Sequence, residues 1–506
     1  MKIRLLPLAL VLLAGVLCRL LTFEEPLGCD QAAFTCIGRG LTHGLLPPRD
    51  LWDNKTLVYH VLWLPAGPLF DAGLSWGALA ELFAATLAAV LLCLAASRSL
   101  GFAGGCVAAL LYTLHLNGFA FGGWFTRGYP EVVLDVPLAA ALALLCWSSR
   151  PVHRALAGAM LAAAVWLKPS CLPMLVLLLV MRGTGDSSAW KPPFWSAVGC
   201  ALGALTPLAA IAALGVLPES WLAIVGYNAE MLVSKSAVTP VPAEWLGFVF
   251  PFANYLTALY AWAALALAAR GPFSEATWLP LLWWALTVAS ALAQRKLFAS
   301  HYIGIAAPLA WLAAAGFSHV DRRMGRRPAL LVLAASLVPW TVATVQYGRQ
   351  AGYVDRMLGR VDRETFQDRF RWPSLGYSVR EDRQVARLVA QLTPPGSRIL
   401  VFGARCSVYL WSHREPASRF FFNFPLVLPS DGPVSPGYRK EYLEVLSIRP
   451  PAVLLVPSSD IGIYDPVSSL ELAQRWPGLR DLLQKHYRPG PQAEGFRVYL
   501  LAGPAR

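Results

Sequence analysis

From residue 5 to residue 345 the chain returns repeatedly to apolar runs long enough to cross a bilayer, separated by short polar links. A water-soluble core cannot absorb so many. About 20 apolar residues span the hydrocarbon layer as a helix, and in lipid each backbone N–H and C=O must bond within its own helix. Such runs cover 5–22, 75–97, 102–121, 131–148, 194–214, 246–268, 276–294, 302–317 and 328–345. A further block, 155–181, would be roughly 40 Å long as one straight helix. It is interrupted by Lys168-Pro169 and has Arg150 and Arg154 before it, Arg182 and Lys191 after it. Equal sidedness at both ends requires a hairpin of two short helices turning at Lys168. The fold class is therefore a polytopic α-helical membrane protein of about 11 spans.

Composition agrees where it bears on this. Only 14% of the 506 residues are charged, against about a quarter in soluble proteins, and 19 Trp suit aromatic belts at the two interfaces. The net charge of +13 then records orientation and contact with anionic membrane lipids, not nucleic acid. The nine cysteines form no CxxC pair; Cys29 and Cys36 share a loop, which leaves a disulfide between them open. The first run, behind Lys2 and Arg4, lacks a small-x-small cleavage site and is read as a retained span.

Short loops rich in Lys and Arg face the cytoplasm. With the N-terminus inside, Arg98, the 148–154 link, residues 181–192, Arg270 and the basic 319–328 link all fall inside. The first outer loop (23–74), the 122–130 and 218–245 links, residues 294–301 and the chain beyond about 346 then lie outside. The expected division is a membrane module over 1–348 and, over 349–506, a linker followed by a small extracytoplasmic α/β domain. In that domain strands near 398–403, 452–457 and 496–501 alternate with helices.

Several outer polar residues can carry chemistry. Asp30 opens a helix-like stretch whose Phe34, Ile37, Leu41 and Leu45 are spaced for one face lying on the membrane. It reads either as the N-cap or as a general base for an acceptor hydroxyl, and the two are compatible. Lys55 stands where the chain re-enters lipid and suits a lipid-linked phosphate. Glu131 lies in the first turn of the fourth span, and Asp135 one turn deeper on the same face. Two carboxylates leave a divalent cation open, without a ligand pattern. Lys168, inside an apolar block, must be paired or reach water. Arg295, Lys296 and His301 form either an interfacial basic cluster or a phosphate clamp.

With these motifs in view, the chain resembles the GT-C superfamily of polyprenyl-phosphate-sugar glycosyltransferases. Among its members, it looks most like bacterial relatives of protein O-mannosyltransferases and lipid A aminoarabinose transferases. The resemblance rests on Asp30-Gln31 followed by HGLLPPRDLWDNK, on Pro130-Glu131 with Asp135-Val136-Pro137-Leu138, on Lys168-Pro169, and on His301, Tyr302 and Pro308. Gln31 stands where many relatives have Glu, and Thr56-Leu57 follow Lys55 in place of two prolines. The resemblance implies an inner-membrane enzyme with an extracytoplasmic active site. It would move a sugar, with inversion, from a polyprenyl-phosphate donor to a hydroxyl of a lipid, glycan or protein. Asp30 would be the base; Lys55, Lys168, Arg295, Lys296 and His301 would hold the donor phosphate; Glu131, Asp135 and Tyr302 would orient donor or acceptor. A transporter or flippase of a lipid-linked glycan is the competing reading, although such proteins usually show paired repeats and none is evident.

Overall fold

The computed structural model describes residues 5–117, 124, 127–180, 194–234, 253–295, 298–429, 432–462, 464–465 and 467–502. Lys296, the basic link 181–192 and the start of the 246–268 run lie outside them. The chain divides into two compact units. One comprises residues 1–23, 77–210 and 238–350, the other 24–76, 211–237 and 351–506.

The first unit is helical. Among the described residues five helices are long and apolar enough to cross a membrane, six if Arg326–Ser336 and Val338–Gln350, bent by 40°, count as one span. The expectation of about eleven spans includes runs that lie partly outside the described residues. Three further apolar helices, Pro151–Leu167, Leu256–Arg270 and Trp278–Ala293, are shorter, and the 75–97 and 102–121 runs form two helices that meet at a kink within Trp76–Asn117. The kink lies at Gly101, whose φ of 73° is a conformation open to glycine at little cost. In Ala306–Met324 every residue from Ala306 to Ser318 is buried, so this helix is central to the unit. Its Gly316 meets helix Ala253–Arg270 so closely that an added Cβ would stand 2.1 Å from the Trp262 carbonyl oxygen. In lipid, where no hydrophobic effect separates helices from their solvent, such close backbone packing is a principal adhesive.

At Lys168 the backbone becomes extended (φ −151°, ψ 103°), ending helix Pro151–Leu167. A 3-10 segment, Pro169–Val176, follows and packs against both that helix and Trp278–Ala293. The break expected at Lys168-Pro169 is present.

The second unit is built on a five-stranded mixed sheet. Its strand order is Glu415–Pro416, Arg398–Val401, Val453–Pro457, Phe496–Leu501, Tyr487–Pro489. The first three are parallel, and the last two run antiparallel to their neighbours. Val453–Pro457 is buried at every position, as a strand covered on both faces must be. Helix Val379–Leu392 buries Val385, Ala386 and Val389 against the sheet and is capped by Ser378, whose Oγ accepts from the Glu381 N–H. The same core takes in Ala32, Ala33, Cys36, Ile37 and Trp52 from the first loop and Ala223 and Tyr227 from the 211–237 segment. Distant stretches of chain thus share one core with the sheet.

Candidate functional site

In the sheet-bearing unit, Asp30 lies in the first turn of helix Cys29–Thr42, but the N-cap is Gly28 and no side chain caps the helix. The cap reading of Asp30 is therefore excluded. Its half-buried carboxylate accepts from Cys29 Sγ at 3.5 Å and is favoured by the positive end of the helix dipole. The helix also does not rest one face on a membrane surface as its apolar spacing suggested. Residues Gln31–Gly38 are all buried, some in the sheet core and Phe34 against Tyr59 and Trp63, each 5.1 Å away between ring centroids. Gly38 permits this, since a Cβ there would lie 2.0 Å from the Trp63 carbonyl oxygen. Cys29 and Cys36 are both free. Seven residues apart on one helix, they are separated by about 10 Å of rise, too far to bridge.

Lys55 Nζ lies 4.8 Å from the centroid of the Phe34 ring. Phe34 is four residues beyond Asp30, one helical turn away on the same face. The fold therefore sets a cation beside the turn that carries the carboxylate. Behind Lys55, Asp53 is buried with its Oδ1 3.4 Å from the ammonium and its Oδ2 3.3 Å from His60 Nε2. The ammonium is thereby held toward one place, which its flexible stem alone would not achieve.

His60 is fully buried, and burial is the main cause that lowers its pKa to about 4; Asp53 opposes this and Lys55 adds to it. The unfolded chain, with an ordinary value near ~6.5, binds the proton first as pH falls. Stability is therefore lost from about pH 6.5 downward until the folded-state value is passed, a loss of roughly 2 kcal/mol between pH 7 and pH 5. Thermal unfolding at these two pH values should show a drop in Tm that is smaller in His60→Gln.

In the helical unit, Glu131 follows Pro130 at the start of helix Pro130–Val133 and pairs with Lys168. Lys168 is thus already partnered, and a phosphate would share it with Glu131. The remaining Glu131 oxygen, Oε2, is buried without a hydrogen-bond partner among the described residues. Asp135, fully buried, accepts from Tyr112 OH at 3.0 Å through Oδ2, and its Oδ1 has no hydrogen-bond partner among the described residues. That Oδ1 lies 3.9 Å from where a Cβ on Gly304 would be, in the 3-10 segment Ala299–Ile305 that carries His301 and Tyr302. Tyr302 is fully buried, and its hydroxyl has no hydrogen-bond partner among the described residues. Glu131 and Lys168 are therefore brought together, as are Asp135 and the 299–305 turn. Arg295 adopts a left-handed backbone, φ 51°, just past helix Trp278–Ala293. Among the described residues no group of three or more His, Cys, Asp or Glu side chains is arranged to hold a metal.

Sequence reasoning passed over a second ionic cluster in this unit. Glu81, near the N-terminal end of helix Trp76–Asn117, pairs with Arg19 and accepts from Arg127 Nη1 at 3.2 Å and from Gly128 N at 2.9 Å, all three side chains being buried. A lone acid in an otherwise apolar run was the available signal.

No protein-family model and no curated protein matches the chain. Solved structures do. ArnT from Cupriavidus metallidurans bound to undecaprenyl phosphate aligns over 98% of this chain and 99% of its own at 14% identity and TM-score 0.62. The apo form of that protein aligns over the same shares at 13% identity and TM-score 0.56. An oligosaccharyltransferase from Archaeoglobus fulgidus aligns over 89% of this chain and 68% of its own, at 12% identity and TM-score 0.47. The chain has the ArnT-like GT-C fold of an integral membrane protein.

Proposed function

We propose that this chain is a membrane glycosyltransferase that moves a sugar from a polyprenyl-phosphate donor to an acceptor hydroxyl on the outer face of the inner membrane, with inversion. The observation that carries the reading is the Lys55 ammonium over the Phe34 ring, one turn from an uncapped, half-buried Asp30. A carboxylate and the ring that a cation covers lie one turn apart on one helix. The full-length likeness to a protein crystallised with undecaprenyl phosphate supports the lipid class.

In the proposed reaction Asp30 takes the proton of the acceptor hydroxyl as its oxygen bonds to the anomeric carbon. The bond from that carbon to the phosphate oxygen breaks on the opposite side, and its electron pair leaves with the polyprenyl phosphate. Lys55 stabilises the charge developing there, where a preorganised cation lowers the barrier. Lys168, Arg295, Lys296 and His301 are the further candidates for holding a donor phosphate, and Glu131, Asp135 and Tyr302 those for orienting donor or acceptor. The C-terminal α/β region, placed outside, helps select the lipid, glycan or protein acceptor.

The test uses purified protein in liposomes with undecaprenyl-phosphate sugars and an envelope extract as acceptor. Release of undecaprenyl phosphate that depends on the extract is expected. Movement of intact sugar lipid across the bilayer without release would replace the reading with transport. Lys55→Met should raise KM for the donor at least tenfold (~1.4 kcal/mol), and an unchanged KM would remove Lys55 from the phosphate site.

A further inference from the structure

In the sheet-bearing unit, helix Leu217–Trp221 passes into a single π-helical turn, Leu222–Gly226, before helix Tyr227–Val233. The Tyr227 N–H bonds back to the Leu222 carbonyl, five residues earlier. Such a turn inserts one residue into the helical repeat and swings the following side chains round; it is rare and concentrates at functional sites. Here the turn is pinned on either side of Asn228. Tyr227 OH donates to the Phe424 carbonyl at 3.1 Å and lies 2.9 Å from Tyr464 OH. Glu230 accepts from the backbone N–H of Val434 and Ser435, at the start of helix Val434–Ile448.

Between these anchors, Asn228 Nδ2 donates to the Ile224 carbonyl at 2.7 Å and its Oδ1 accepts from Asn54 Nδ2 at 3.0 Å. Both amides are half-buried, and Asn54 is the immediate neighbour of Lys55. An amide carries two N–H donors and a carbonyl oxygen with two lone pairs. After the two bonds above, the pair still presents both a donor and an acceptor. A sugar hydroxyl, which donates and accepts at once, matches such a pair; a phosphate, which only accepts at neutral pH, does not need it.

We propose that Asn228, bridged to Asn54, reads a hydroxyl of the donor sugar whose phosphate Lys55 holds, and so sets which sugar is accepted. This rests on the glycosyltransferase reading. A bridge serving only to fasten the 211–237 segment to the first loop would affect every lipid equally, whereas a hydroxyl contact affects only lipids that carry the sugar.

The experiment measures binding of the full-length protein in nanodiscs to bare undecaprenyl phosphate and to undecaprenyl phosphate carrying glucose, galactose, mannose or arabinose. Wild type is expected to hold at least one sugar lipid more tightly than the bare lipid. Asn228→Ala should lose that preference, about tenfold or more, with bare-lipid affinity kept within about twofold. Asn54→Ala removes the other half of the bridge and leaves the bond from Asn228 to the Ile224 carbonyl in place; it should lose the preference too, and it carries the test if the Asn228 variant fails to fold. A preference retained in both variants, an equal loss for bare and sugar lipids, or a wild type with no preference would each overturn the proposal. A wild type that binds not even bare undecaprenyl phosphate would overturn the glycosyltransferase reading along with it.

Discussion

Asp30→Asn is expected to lower kcat for sugar transfer about 10³-fold while the protein stays folded and binds its donor lipid normally. The size follows from the role. A positioned general base contributes about 10²–10⁴, and an amide of the same shape keeps the packing but cannot take a proton. The selectivity follows from the structure. Asp30 does not cap its helix and its side chain is only half-buried, so replacing it should change stability by no more than about 0.5 kcal/mol. Had it been the N-cap, Asp30→Ala would cost about 1 kcal/mol. The measurements are single-turnover transfer, donor-lipid binding and thermal unfolding on one preparation. Transfer at wild-type rate would remove Asp30 as the base. A large fall in Tm with proportionate loss of lipid binding would return it to a structural role.

The membrane class and most helix positions are written in the chain's apolar runs, because lipid leaves a helix no alternative to bonding within itself. Gly101, Gly316 and the break at Lys168 sit where such runs must turn or touch. The strands Arg398–Val401, Val453–Pro457 and Phe496–Leu501 were equally visible as short apolar stretches bounded by turn residues. What local patterning could not show was partnership. Ala32, Cys36, Trp52 and Tyr227 share a core with strands some 170 or more residues later in the chain, and nothing in a helix-spaced Phe34-Ile37-Leu41 pattern distinguishes a membrane surface from a sheet as its cover. The Asn54–Asn228 bridge is hidden for the same reason. Glu131 and Lys168 could each be singled out as anomalies, but that they answer one another is a tertiary fact.

Glu81→Ala is expected to be the most destabilising single change in the helical unit, by about 3–5 kcal/mol. Glu81 is the one acceptor joining Arg19 and Arg127 in the described structure, and both guanidinium groups are buried with it. Removing the carboxylate takes from two buried guanidinium groups the anion they share, in a low-dielectric setting where breaking a buried ion pair costs most. It also strips the Gly128 N–H of its acceptor, at the turn that leads through Tyr129 into Pro130 and Glu131. The loss should therefore reach Glu131 and Lys168 even if the helices survive. A charge argument makes a further, sharper demand. Arg19→Met combined with Glu81→Gln removes one cation together with the anion and keeps an acceptor for Gly128, so the double variant should be more stable than Glu81→Ala alone. Thermal unfolding in detergent would measure both. A double variant no better than Glu81→Ala would mean that the cost lies in packing around residue 81, with the ionic cluster contributing little.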